Sequence, residues 1–132
     1  MTPGRLIEYA EANAEVRAVF DDIMATRGLP DVNNFWKALA QDPPTLKRTW
    51  ESLRQVMAPG ALDPATKELL YLAVSMANAC DYCVASHTAA ARKAGASDAM
   101  LAELWAILGM ASETNALAQG LRVPIDAKFG GP

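Results

Sequence analysis

The sequence predicts an all-α protein, and both its composition and its punctuation by glycine and proline support this. Among 132 residues there are 26 alanines against 18 β-branched residues, a balance that favours helix over strand. Glycine and proline divide the chain into segments whose apolar residues recur at helical spacing. No segment shows a strand pattern, so we expect a bundle of about six helices without a sheet.

Three helices are predicted in the first half of the chain. The first covers residues 11–27 and ends at a glycine. Asn33 can cap a short second helix that carries apolar aromatic residues. Asp42 followed by Pro43 is a cap with a proline in the first turn, and it opens a third helix that runs to Met57.

The fourth and fifth helices are predicted around the most apolar part of the sequence. Asp63 and Pro64 repeat the cap-and-proline start, and the fourth helix then covers residues 65–78. Residues 69–79 carry no charge, so we expect this helix to be central and buried on every side. The fifth helix covers residues 81–94 and is followed by a glycine.

A long sixth helix, capped by Ser97, is predicted to extend to about Gln119. It has two apolar stripes, of which one comprises Leu101, Leu104, Trp105, Leu108 and Ala111, and the other Met100, Ile107 and Met110. Two apolar faces on one helix indicate packing against both its own chain and a neighbouring subunit. The tail from Val123 to Pro132 is expected to be irregular.

Length and charge exclude several classes of protein. A chain of 132 residues suits a single domain, and a net charge of −3 without a basic patch makes nucleic acid an unexpected partner. No stretch reaches the roughly 18 apolar residues of a membrane span, and the N-terminus lacks the apolar core of a secretory signal. We therefore expect a cytoplasmic protein, in which a cysteine pair is more often catalytic or metal-binding than structural.

The two cysteines and the one histidine of the chain fall within eight residues, at Cys80, Cys83 and His87. On a helix these positions share one face. A helix N-terminus stabilises a thiolate, and a histidine one turn beyond the second cysteine can accept its proton. The spacing therefore indicates an activated thiol with a second thiol able to form a disulfide with it.

Glu68 is a candidate fourth member because it is the last acid before the uncharged run. In one unbroken helix it would lie about 18 Å from Cys80, so it can reach the cysteines and His87 only if the chain turns. Asn78 and Ala79 are a suitable break because asparagine tolerates a left-handed conformation. A partly desolvated carboxylate there would suit a general base. Glu68 could equally be a solvated first-turn acid.

Zinc is the main alternative for this set of residues. Glu68, Cys80, Cys83 and His87 are all possible zinc ligands, but the second pair of ligands typical of a structural zinc site is missing. We therefore predict neither a metal nor another cofactor. A thioredoxin fold is disfavoured because no βαβ pattern surrounds the motif.

Three segments together resemble the AhpD-like superfamily, which contains the alkylhydroperoxidase AhpD and the carboxymuconolactone decarboxylases. They are Leu62–Leu70 with Glu68, Ala73–Ser75, and Asn78–Thr88 with both cysteines and the histidine. Residues 34–40 and Pro43 are also similar to the N-terminal helices of that family. The resemblance covers about residues 30–119.

The resemblance implies an all-α fold in a homo-oligomer, commonly a trimer or a hexamer. It also implies that Cys83 attacks a peroxide, that Cys80 resolves the resulting sulfenic acid, and that His87 and Glu68 relay protons. A thiol reductant, such as a lipoyl-bearing or thioredoxin-like protein, would regenerate the dithiol. Tyr82 stands where AhpD has a histidine, which is the one place where this sequence departs from the pattern of AhpD, and we count it as a candidate supporting residue of the site.

The sequence therefore predicts a thiol-dependent peroxidase or disulfide oxidoreductase that reduces hydrogen peroxide or an organic peroxide. One alternative is a redox-sensing or binding module whose dithiol changes oligomer packing without turnover. The other is a decarboxylase acting on a lactone, which the cysteine pair disfavours because decarboxylases of the family generally lack it.

Overall fold

In a computed structural model that describes residues 1–131, the chain forms six α-helices, two short 3-10 turns and no strand within those residues. The helices are α1 (Ala14–Arg27), α2 (Asn34–Leu39), α3 (Pro43–Met57), α4 (Pro64–Ala77), α5 (Asp81–Lys93) and α6 (Asp98–Gly120). The predicted all-α class and the six helices are confirmed. Helix α1 begins three residues later than predicted, because Tyr9–Glu11 form a separate 3-10 turn.

The helix caps follow the short polar residues that the sequence places there. Asp42, Asp63 and Ser97 each accept a hydrogen bond from the backbone N–H three residues later. The hydrogen bonds from the backbone and the hydroxyl of Thr66 lower the pKa of Asp63. Asn33 lies at the N-cap of α2 but makes no side-chain cap bond. Capping therefore sets where α3, α4 and α6 begin.

The chain divides into two compact units, Met1–Ala58 and a second that begins at Pro59. The single domain expected over residues 1–132 stays a prediction. In the first unit, α1 and α2 both pack against α3. Its core includes Phe20, Trp36 and Trp50, and the two tryptophan rings meet edge to face at 5.5 Å.

A buried ion pair network ties the N-terminal segment to α2 in the first unit. Lys37 Nζ lies 2.7 Å from Glu8 Oε2 and 2.7 Å from Asp31 Oδ2, while its side chain is only 8% exposed. The hydrogen bonds to Asp31 and Glu8 raise the pKa of Lys37, and the ammonium lowers the pKa of Asp31. The lysine is therefore buried as a paired charge.

In the second unit, α4 packs against both α5 and α6. The expectation that α4 is buried on every side was wrong. Within this helix only Leu72 and Ser75 are buried. Leu70 and Val74 are more than half exposed, because α5 and α6 cover only part of the α4 surface. An uncharged helix therefore leaves an apolar face open.

The two predicted stripes of α6 differ in burial. Leu101 is buried and Leu104, Leu108 and Ala111 are partly buried, whereas Trp105, Met100, Ile107 and Met110 are exposed.

Residues 123–131 are irregular apart from a 3-10 turn at Ala127–Phe129, and Pro132 lies outside the described residues. Within residues 1–131, no helix combines the length and the apolar character needed to cross a membrane.

The turn between α4 and α5 has the hydrogen bonds of a Schellman motif. The N–H of Ala79 donates to the Met76 carbonyl at 3.1 Å, and the N–H of Cys80 donates to the Ser75 carbonyl at 3.0 Å. The left-handed residue is Ala79, with φ 54°, and not Asn78, which has φ −86°. The predicted break is thus correctly located, although its left-handed residue lies one position later.

Ala79→Gly is expected to raise the free energy of unfolding by about 1 kcal/mol, because glycine has no Cβ to oppose a positive φ. Denaturant unfolding monitored by circular dichroism measures the change. Gly95 is the matched position after α5, with φ 105° and open space where a Cβ would lie. Gly95→Ala should therefore lower the stability by at least about 1 kcal/mol through backbone strain alone. A stability loss in Ala79→Gly would contradict the left-handed turn.

Candidate functional site

The two cysteines begin helix α5, where Cys80 is the N-cap and Cys83 lies in the first turn. Their sulfur atoms are joined in a disulfide, and their Cα atoms are 5.2 Å apart. The backbone N–H of Cys83 also donates to Cys80 Sγ at 3.3 Å, so one cysteine side chain caps the helix. When the disulfide is reduced, the N-terminal dipole of α5 would stabilise a cysteine thiolate at the start of the helix.

His87 lies one helical turn beyond Cys83 on α5, and its side chain meets Glu68 from α4. The distance from His87 Nδ1 to Glu68 Oε2 is 2.8 Å. An ionised carboxylate can only accept, so this contact favours the tautomer that carries hydrogen on Nδ1. In the neutral ring Nε2 is then left as the proton acceptor.

The Schellman turn explains how Glu68 reaches His87. Glu68 is twelve residues before Cys80 in the sequence, but the turn at Ala79 folds α5 back against α4. The side chains of Glu68 and His87 are 19% and 17% exposed, so both are largely withdrawn from solvent. Partial burial strengthens the interaction of a carboxylate with an imidazole relative to water.

The structure thus brings the predicted residues together as two pairs on neighbouring turns. Cys80 and Cys83 form one pair and Glu68 with His87 form the other, and α5 carries a member of each. Tyr82, within the cysteine motif, is 44% exposed at the start of α5. Among residues 1–131, no group of three or more His, Cys, Asp or Glu is arranged to hold a metal ion.

Tyr71, which was not predicted as a site residue, stacks its ring on the imidazole of His87. The ring centroids are 3.8 Å apart and the planes are inclined by 22°. Tyr71 lies three residues after Glu68 on α4, so both side chains project from one face of that helix. The one feature of the sequence that could have indicated Tyr71 is its place one helical turn after the candidate acid Glu68.

In chemical terms, the arrangement combines a dithiol at a helix N-terminus with a histidine oriented by a carboxylate. Reversible thiol oxidation requires one thiol with a proton acceptor near it and a second thiol that can form a disulfide with the first. In this arrangement the imidazole of His87 is the base and the carboxylate of Glu68 holds it in position, which is the general pattern beside an activated thiol.

Comparison with known proteins identifies a family and a similar fold. A family model described as the carboxymuconolactone decarboxylase family matches residues 44–126. The structure is similar to the crystal structure of an alkylhydroperoxidase AhpD core from Rhodospirillum rubrum ATCC 11170, with 55% sequence identity and a TM-score of 0.93. That match covers 98% of this chain and 97% of the other. No curated protein matches the sequence.

Proposed function

Because this chain belongs to the AhpD-like carboxymuconolactone decarboxylase family, we propose that it is a thiol-dependent peroxidase of the alkylhydroperoxidase type. The observation that carries the proposal is the Cys80–Cys83 disulfide at the start of a helix whose next turn holds His87 against Glu68. The matched structure is named as an alkylhydroperoxidase core, and its high identity to this chain supports the same class of activity.

In the first step, Cys83 acts as the peroxidatic thiol. Its thiolate attacks one oxygen of a peroxide ROOH, so that an S–O bond forms and the O–O bond breaks. The sulfur is oxidised to a sulfenic acid, and the departing RO⁻ takes a proton to leave as an alcohol, or as water when the substrate is hydrogen peroxide. Cys83 is given this role by its resemblance to AhpD, in which the second cysteine of the motif attacks the peroxide, and its place one turn before His87 is consistent with it.

In the second step, Cys80 resolves the sulfenic acid. Its thiolate attacks the sulfur of Cys83, the S–S bond forms, and hydroxide leaves and is protonated to water. The Cα separation of 5.2 Å in the disulfide lies within the usual range, as expected for the product of this step. An external dithiol, such as a lipoyl-bearing or thioredoxin-like protein, then reduces the disulfide and completes the cycle.

His87 and Glu68 serve as the proton relay in this proposal. The Nε2 atom of His87 accepts the proton of the attacking thiol, and the same ring later donates it to the departing oxygen. The carboxylate of Glu68, 2.8 Å from Nδ1, holds the ring in one tautomer and stabilises the imidazolium while the proton is on it. A largely buried pair is suited to this because water competes less for the proton.

The proposal includes assembly into a homo-oligomer, either a trimer or a hexamer. It is supported by the exposed apolar side chains of α6, among them Trp105, Ile107 and Met110, each about half exposed or more. Exposed apolar surface on this scale is typical of an interface.

We also propose a cytoplasmic location, because a dithiol that must be reduced in each cycle requires a reducing compartment.

A titration of the reduced wild-type protein tests the proposed function. One equivalent of peroxide should remove two free thiols per chain, and a dithiol donor should then sustain continuous peroxide consumption. A protein that oxidises in this ratio but does not cycle with any dithiol donor would instead be a redox sensor. Lactone decarboxylation that survives the loss of both cysteines would refute the peroxidase and support a decarboxylase.

A further inference from the structure

The imidazole of His87 is held from two directions, and only one of them belongs to the relay described above. Glu68 contacts Nδ1 at the edge of the ring, and the ring of Tyr71 lies across its face at 3.8 Å. A single hydrogen bond at the edge leaves a range of χ2 angles, and so of ring planes, open to the imidazole. A ring stacked on the face at 22° removes that freedom.

We propose that Tyr71 is a positioning residue that fixes the plane of the His87 imidazole, so that Nε2 is oriented for proton transfer. The inference rests on the proposed function, because it assigns His87 the role of proton acceptor. Tyr71 acts through His87 and has no assigned contact with peroxide. Its aromatic face also attracts the imidazolium once the proton has been transferred.

The position of Tyr71 on α4 suits this role. Tyr71 and Glu68 are one turn apart on the same helix, so a single element presents both the carboxylate and the aromatic face to His87. The Tyr71 backbone is anchored separately, because the buried Ser75 donates its hydroxyl to the Tyr71 carbonyl at 2.8 Å. The Ser75 carbonyl in turn accepts from the N–H of Cys80. Hydrogen bonds through Ser75 therefore connect the backbone of Tyr71 with the first residue of the dithiol motif, Cys80.

Packing alone gives a weaker account of Tyr71. Its side chain is 37% exposed, whereas the residues that fill the core of this unit, such as Leu72 and Leu101, are at most 1% exposed. A partly exposed aromatic ring contributes less to stability than a buried one, so its replacement should leave the fold intact. This makes the positioning role separable from a structural role.

Two substitutions test the proposal, Tyr71→Leu to remove the aromatic face and Tyr71→Phe to keep it. Because the chain has a single histidine, its imidazole proton resonances belong to His87 without further assignment. In the reduced protein, Tyr71→Leu should shift these resonances downfield as the ring current is lost. It should also slow alkylation of Cys83 by iodoacetamide at pH 7 and lower kcat/KM for peroxide, each about tenfold.

Tyr71→Phe should retain the wild-type resonances and rates, and Leu70→Ala, an exposed neighbour on α4, is the matched control. If Tyr71→Leu does not fold, Tyr71→Met provides the same loss of the aromatic face. The proposal is overturned if the Leu variant keeps the wild-type rates, if it loses activity while the His87 resonances stay unchanged, or if Phe is as impaired as Leu. A wild-type protein that consumes no peroxide overturns the proposed function instead, because the alkylation and resonance measurements still decide the role of Tyr71.

Discussion

Cys83→Ser should abolish peroxide turnover, with a loss of more than about a hundredfold in kcat/KM. A serine hydroxyl is not deprotonated near neutral pH, so it cannot replace the thiolate that attacks the O–O bond. The fold should survive, because the helix-capping donor at this position is the backbone N–H of Cys83 and serine has nearly the same size. Peroxide consumption with a dithiol donor measures the loss, and a circular dichroism melt checks the fold.

Cys80→Ser is the matched comparison, because it removes the other thiol of the same pair. Without a resolving thiol, and with no dithiol donor added, this variant should consume one equivalent of peroxide per chain and leave Cys83 as a sulfenic acid that dimedone can trap. The assignment of the two roles is wrong if Cys80→Ser fails to react in the first turnover while Cys83→Ser reacts. Steady-state turnover by Cys83→Ser at the wild-type rate would contradict the mechanism altogether.

Glu68→Gln should lower kcat/KM for peroxide by about a hundredfold, within the range that a positioned acid or base contributes. Glutamine keeps the length of the side chain but lacks the negative charge that stabilises the imidazolium of His87. Its amide can also donate to Nδ1, which would select the opposite tautomer and place hydrogen on Nε2. Steady-state kinetics and the nitrogen chemical shifts of the single imidazole measure the two effects separately.

Glu103→Gln is the matched control for Glu68→Gln, because Glu103 is an exposed acid on α6 of the same unit. It makes the same change of net charge without altering the contact with His87. The control should therefore keep the wild-type rate, apart from weak long-range electrostatic effects that salt would screen. Equal rates for both variants would show that the carboxylate beside His87 takes no part in the reaction.

Much of this protein follows from local sequence alone. The Asp-Pro pairs at 42–43 and 63–64 set where α3 and α4 begin, because a cap and a first-turn proline act within one turn of the chain. The Cys80–Cys83 pair lies at the start of α5, and its spacing of three residues places both cysteines on one side of that helix. The fold class and the dithiol were therefore predictable.

Other features depend on contacts between helices, and local sequence does not specify them. The amino acids alone left Glu68 as either a solvated acid or a relay member, and only the turn at Ala79 with the packing of α5 on α4 brings it to His87. The stacked ring of Tyr71 was not predicted for the same reason. The burial expected for all of α4 was wrong, because a run of uncharged residues indicates that a surface is apolar but not which neighbour covers it. Sequence periodicity identifies one face of one helix, whereas a site that joins two helices is decided by the turn and packing that bring them together.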